Sequence, residues 1–248
     1  MTVAPRVRII GPGRAGRSLA SALASAGWAV APLVGRGDET HTAANGVDLL
    51  VVATPDTAIA SVAAKVEPDP RTVVAHLAGS LGLEVLAPHQ RVAALHPLVS
   101  LPDAEVGATR LATGAWFAVA GDPIVQRVAA DLNGRCFEVA DQDRAAYHAA
   151  AAIASNHLVA LLGQVERIAG AIGVPVEAYL DLARDTLDNV SAMGAAAALT
   201  GPVARGDWDT VVRHLAALDP SEHDAYLALA AAARRLVDGT GLPAGFGP

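Results

Sequence analysis

The chain has 248 residues, enough to bury a substantial core as one large domain or two smaller ones. A formal charge of −7, with scattered arginines and no basic block, argues against a nucleic-acid surface and for a small-molecule partner. The single cysteine, Cys136, excludes an intrachain disulfide, and without CxxC or clustered His/Cys spacing no metal site is supported; a cytoplasmic protein is expected.

In chain order, the first pattern is an apolar run over 7–10, read as a buried strand that starts too close to Met1 to leave room for a signal peptide. Gly11-Pro12-Gly13-Arg14-Ala15-Gly16 follows in GxGxxG spacing, and 18–26 reads as a helix. This strand, tight turn and helix make a phosphate cradle. Gly11 permits the turn, Gly13 lets a pyrophosphate approach the backbone, and Gly16 lets helix and strand pack closely. Arg14 and Ala15 open the helix, whose unpaired N–H groups and positive dipole end would face the phosphates.

Gly27 stops this helix, and a second strand over 29–34 runs into Gly35-Arg36-Gly37. The end of this strand, about 20 residues beyond the glycines, reads the adenine ribose: a carboxylate accepts from a free 2′-hydroxyl, and an arginine pairs with a 2′-phosphate. Arg36 stands there, favouring NADP, while Asp38 and Glu39 keep NAD open.

A third strand over 47–53 leads into Thr54-Pro55-Asp56 and a helix to 66. Thr54 and Pro55 sit at the carboxyl end of a strand, the edge where doubly wound sheets bind ligands, and are expected to touch the cofactor. Lys65, the only lysine, reads as a solvated charge. Strands over 72–77 and 91–95 end in His76-Leu77-Ala78-Gly79-Ser80 and His96-Pro97-Leu98, so a parallel sheet would bring both ends to one edge. His96 and Ser80 are the better candidates there, the imidazole to donate a proton to a carbonyl oxygen during hydride delivery and the hydroxyl to hydrogen-bond it. Residues 99–113 read as irregular, and strands over 115–120 and 135–139 flank a helix over 123–132.

From Asp141, read as an N-cap, helical sequence runs to 171 and no convincing strand follows. The expected architecture is therefore α/β: a Rossmann-type doubly wound parallel sheet over 1–140, followed by an all-helical domain over 141–248. Helical spacing stacks His148, Ala152 and Asn156 on one face, and Asn156 needs a partner there. Ser155, Asn156 and His157 cut the apolar run 149–163, so no membrane span is expected. Pro175 opens a helix to 199, closed by Thr200-Gly201-Pro202, and Asp207 caps the next. Arg205, beside Gly206, is a candidate to hold a substrate carboxylate. Asp219-Pro220-Ser221-Glu222 reads as a capping box, and the tail from Gly239 as loosely ordered. Alanine-rich helices with few charges point to a homodimer through the helical domain.

A GxGxxG domain followed by a helical one resembles the 6-phosphogluconate dehydrogenase-like superfamily, which includes ketopantoate reductase, pyrroline-5-carboxylate reductase and prephenate dehydrogenase. More narrowly, the chain looks like Rossmann-like proteins with a domain of unknown function, DUF2520, in its glycine loop, Thr54-Pro55-Asp56, His96-Pro97-Leu98, Ala154-Ser155-Asn156 and, most specifically, Leu199-Thr200-Gly201-Pro202-Val203-Ala204-Arg205-Gly206-Asp207. The resemblance implies NADP-dependent reduction of a C=O or C=N bond of a small carboxylate, ketopantoate-like or a cyclic imine, in a cleft between the domains. Superfamily dehydrogenases often carry a lysine and an asparagine one turn apart on the first helix of the helical domain. Asn156 matches the asparagine, but Ala152 occupies the lysine position, so His148 or His96 would have to supply the acid. Pyrroline-5-carboxylate reductases manage without that lysine. Its loss also motivates a second reading, a catalytically silent NADP-binding regulator or scaffold.

Overall fold

A computed structural model describes residues 4–246. The chain forms two compact units, Met1–Ser155 and Asn156–Pro248, and not the division near 140 that composition suggests. The difference arises because the helix opening at Arg144 stays with the sheet: Arg144 is buried, and Tyr147 bonds a strand-end histidine.

The first unit holds β1 (Arg6–Ile10), β2 (Ala29–Val30), β3 (Leu49–Val52), β4 (Val73–His76), β5 (Val92–Pro97), β6 (Trp116–Gly121) and β7 (Arg135–Glu138). They form one sheet of order β2-β1-β3-β4-β5-β6-β7. The sheet is Rossmann-like, with β1 to β5 parallel, but β6 runs antiparallel to β5 and β7 follows β6. The reversal follows from the connection. Pro97 pairs with Phe117, and the Leu98 N–H donates to the Trp116 carbonyl at 2.8 Å, so the chain re-enters the sheet where it left. Every residue of β3 and β4 is buried, because alternate side chains enter cores on opposite faces: Leu49 and Val51 on one side, Leu50 and Val52 on the other.

Helices α1 (Arg14–Ser25), α2 (Asp56–Ala63), α3 (Ala104–Ala112), α4 (Ile124–Asp131) and α5 (Arg144–Ala152) complete the unit. Strand β2 is shorter than expected: beyond Val30 only the bridge from Ile10 to Val34 remains, after Pro32, which has no N–H to donate. The stretch 99–113 is irregular only up to Asp103, and a helix follows. Asp103 accepts from the Glu105 and Val106 N–H groups and starts α3. Asp141 is no N-cap either; it lies in a short 3-10 turn and accepts from Arg144 Nε at 2.9 Å.

A π turn, Ile153–His157, carries the chain from α5 into α6 (Leu158–Ala171). Then come α7 (Val176–Met193), α8 (Ala195–Ala198), α9 (Pro202–Arg205), α10 (Trp208–Ala217) and α11 (His223–Asp238). The expected helix from 175 to 199 breaks at Gly194, whose φ of 82° leaves the helical region. Asp207 caps α10, accepting from the Thr210 N–H at 3.1 Å. Glu222 makes no capping box: Arg167 holds its carboxylate through Nε at 2.6 Å and Nη2 at 3.0 Å. The tail is not loose over the described residues, since Leu242 and Phe246 pack on the small core of Val203, Val211 and Ala230. The helical run Asp141–Ala171 is long and apolar enough to cross a membrane by length and composition, with a mean hydropathy of 1.2. Its first turns nevertheless hold the buried Arg144, and Ser155, Asn156 and His157 stand in its middle.

Candidate functional site at the carboxyl edge of the sheet

Strand β1 delivers the glycine loop to the carboxyl edge, where each glycine has its own steric reason. Gly11 has φ 106°, and a Cβ there would lie 2.6 Å from the Ala53 carbonyl oxygen. A Cβ on Gly16 would lie 2.0 Å from the Gly11 carbonyl oxygen, so this position locks α1 onto β1. Gly13 is different. A Cβ on it would meet nothing within 4 Å, and no side chain caps α1. The space above Gly13 and the free helix N–H groups together make a place for an anionic ligand.

Beside the loop lies a cavity of about 470 Å³ lined by Gly11, Gly13, Arg36, Thr54, Pro55 and Lys65, among others. Arg14 and Ala15 open α1 but do not line it. Of the two carboxylates that kept NAD open, Asp38 lines this cavity as well, with Oδ2 accepting from the Gly35 N–H at 2.6 Å, whereas Glu39 does not line it and accepts from the His41 N–H at 2.7 Å. Lys65 is exposed, as expected of a solvated charge, but it lines the same cavity as Arg36. Sequence spacing gave no sign of this, because Lys65 arrives from beyond the far end of α2. The Thr54 hydroxyl oxygen is buried without a hydrogen-bond partner. Free helix N–H groups, two cations and an unpartnered hydroxyl around one cavity fit a phosphorylated dinucleotide.

The ends of β4 and β5 build a second group. Ser80 Oγ donates to Asp56 Oδ2 at 3.2 Å, tying the β4 end to the first residue of α2, directly after Thr54-Pro55. His96 Nδ1 lies 2.5 Å from Tyr147 Oη, and the His148 ring centre is 6.0 Å from that of His96. Gly79 permits this convergence, since a Cβ there would lie 2.8 Å from His148 Cδ2 and 3.0 Å from His96 Nε2. Burial first, then the neighbouring His148, pushes His96 down to about 4, so its ring is neutral at pH 7. Burial raises the Tyr147 phenol, with the Arg144 charge opposing it, so Tyr147 keeps its proton. His76 is fully buried: Nδ1 accepts from the Ala78 N–H at 3.2 Å and Nε2 faces the Gly82 carbonyl at 3.1 Å. That fixes a neutral, structural ring.

His96, Ser80 and His148 thus share one unit and one edge. Tyr147 and Arg144 join them although no motif marked either. Asn156 and Arg205 belong to the second unit and are exposed there. Exposure removes the demand that Asn156 find a buried partner, and the π turn changes its angular position relative to His148 and Ala152.

Residues 117–233 match the family described as a domain of unknown function, DUF2520. The matched residues begin in β6 and include Tyr147, His148, Asn156 and Arg205, whereas the glycine loop, Ser80 and His96 precede them. A comparison with curated proteins finds no match. Among solved structures, a candidate NADP oxidoreductase from Bacteroides fragilis shares the fold with a TM-score of 0.80 at 19% identity, over 94% of this chain and 98% of that one. A reductive aminase from Aspergillus terreus, crystallised with NADPH and ethyl levulinate, gives 0.71 at 15% identity, over 97% of each chain. Plasmodium falciparum pyrroline carboxylate reductase with NADP bound gives 0.60 at 13% identity, over 95% of this chain and 98% of that one.

Proposed function

We propose that the chain is an NADP-dependent reductase acting on a C=O or C=N bond of a small carboxylate. The observation that carries this reading is the pairing, on one sheet edge, of the Gly13 cavity bearing Arg36 and Lys65 with the His96, Tyr147, His148 and Ser80 group. The NADP and NADPH in structures of similar fold support it. Gly11, Gly13 and Gly16 shape the cradle, and the N–H groups of Arg14 and Ala15 face the pyrophosphate. Arg36 and Lys65 take the 2′-phosphate, and Thr54 and Pro55 border the ring that follows. NADPH supplies hydride when bound. The chain's own work is to hold the acceptor bond against the strand ends, where Ser80 and the histidines position its oxygen or nitrogen. We further propose that a second copy of the chain covers the apolar surface of the helical unit.

Calorimetry with NADP and NAD tests the cofactor. Arg36→Ala and Lys65→Ala should each weaken NADP about tenfold, about 1.4 kcal/mol, and leave NAD unchanged. Oxidation of NADPH against a panel of keto acids and cyclic imines then tests the chemistry. Binding without turnover of any candidate would favour the regulatory reading that Ala152 motivates, and absence of binding would remove both.

A further inference from the structure

Arg144 is the most confined charge in the described residues. Its side chain is 1% exposed, Nε donates to Asp141 Oδ1 at 2.9 Å, and Nη1 and Nη2 are buried with no acceptor. A buried guanidinium with unpartnered N–H groups is costly, so the fold retains it where negative charge is to be met. One turn further along α5, on the same face, stands Tyr147. The Tyr147 ring packs edge-on against Phe137, with centroids 5.7 Å apart, and its hydroxyl touches His96. The Arg144 charge acts on Tyr147, His96 and His76 alike.

We propose that Tyr147 is the proton donor of the reduction, with His96 as its positioning residue and Arg144 as the counter-charge for the phenolate that it leaves. The proposal rests on the reductase reading and names its acid. The reduced nicotinamide is the hydride source. As hydride adds to the carbon of C=O or of a neutral C=N, the π pair moves to oxygen or nitrogen and forms a bond to the Tyr147 proton, while the phenolic O–H breaks. Phenolate remains until water returns the proton after product leaves. In this arrangement the neutral His96 ring donates from Nδ1 to Tyr147 Oη, which leaves the phenol proton free for the acceptor. His148 and Asp56 face His96 from α5 and α2, with His76 behind, and Arg144 supplies the positive charge nearest the phenol on its own helix. An iminium that arrives already protonated needs no donor, so the assignment separates keto acids from protonated cyclic imines.

Tyr147→Phe should lower kcat on keto acids at least roughly hundredfold, leave NADP affinity unchanged, and spare any turnover of protonated cyclic imines. The chain has three tyrosines, so an ultraviolet tyrosinate titration with Tyr147→Phe subtracted isolates Tyr147 without any substrate. In Arg144→Met its midpoint should rise by about one pH unit, and in Arg144→Lys, which keeps the charge and guards against misfolding, it should return towards wild type. Undiminished keto-acid turnover by Tyr147→Phe would overturn the donor while sparing the reductase reading. An unmoved midpoint in Arg144→Met would overturn the counter-charge. Wild-type protein that binds NADP yet reduces nothing would remove the reductase reading and the donor with it.

Discussion

Gly13 and Gly16 stand three residues apart and answer to different constraints. A methyl group on Gly13 enters open space, so Gly13→Ala should fold with an unchanged Tm and lose NADP affinity at least roughly tenfold, because only the ligand competes for that volume. A methyl group on Gly16 meets the Gly11 carbonyl oxygen at 2.0 Å, a backbone atom that cannot swing aside, so Gly16→Ala should cost about 1–3 kcal/mol in denaturant unfolding as well as affinity. Equal stability of the two variants would contradict this division. The packing role of Gly16 was legible in the sequence because strand, turn and helix are contiguous and their sterics are local. Tyr147 and Arg144 were not. Tyr147 meets His96 across 51 residues of chain, and only the folded sheet edge reveals that the histidine has a phenol beside it.

The same distinction holds for elements. Strands β3, β4 and β5 were visible as apolar runs because burial on both faces favours aliphatic residues, with His76 and His96 entering only towards the carboxyl ends of β4 and β5. Helix α3 was hidden by Pro102 and Gly107, which read as loop residues although one precedes the Asp103 cap and the other serves packing. A Cβ on Gly107 would lie 2.1 Å from Ser18 Oγ, and that hydroxyl bridges the Arg14 carbonyl at 2.8 Å and the Asp103 carbonyl at 3.1 Å. Gly107 therefore sets how closely α3 approaches α1, a requirement held by a residue 89 positions away that no local pattern expresses. Gly107→Ala should destabilise the protein by about 1–3 kcal/mol, and Ser18→Ala in the same chain should recover part of that loss, since the nearest obstructing atom is gone. Additive losses in the double variant would show that the two helices do not meet through this pair. The reversal of β6 was equally out of reach, because strand direction depends on where α3 returns the chain.

At the scale of the whole molecule, the two units differ in how they bury apolar side chains. The sheet unit buries most of its large aliphatics in cores on both faces, whereas α7 buries none of its residues and leaves Leu182 60%, Leu187 54% and Met193 54% exposed. Val159 at 69% and Ile172 at 65% add to this surface from α6 and the turn after it. Isolated exposed aliphatics are ordinary, but Leu187, Val190 and Met193 recur at three-residue spacing and make a stripe along one helix. The charged residues of α7 are Glu177, Asp181, Arg184, Asp185 and Asp188, so the helix does not direct this stripe to an anionic partner, and an isologous contact lets the same stripe cover itself. A stable dimer needs about 800 Å² per partner, so such a contact would have to extend beyond the α7 stripe. Sedimentation equilibrium should therefore give a dimer at micromolar concentration, with a Tm that rises with protein concentration. Leu182→Glu combined with Leu187→Glu should shift the mass to monomer and abolish that dependence while leaving NADP binding at the Gly13 cavity intact. A wild-type monomer across the accessible concentration range, with a concentration-independent Tm, would show that a second copy does not cover these helices.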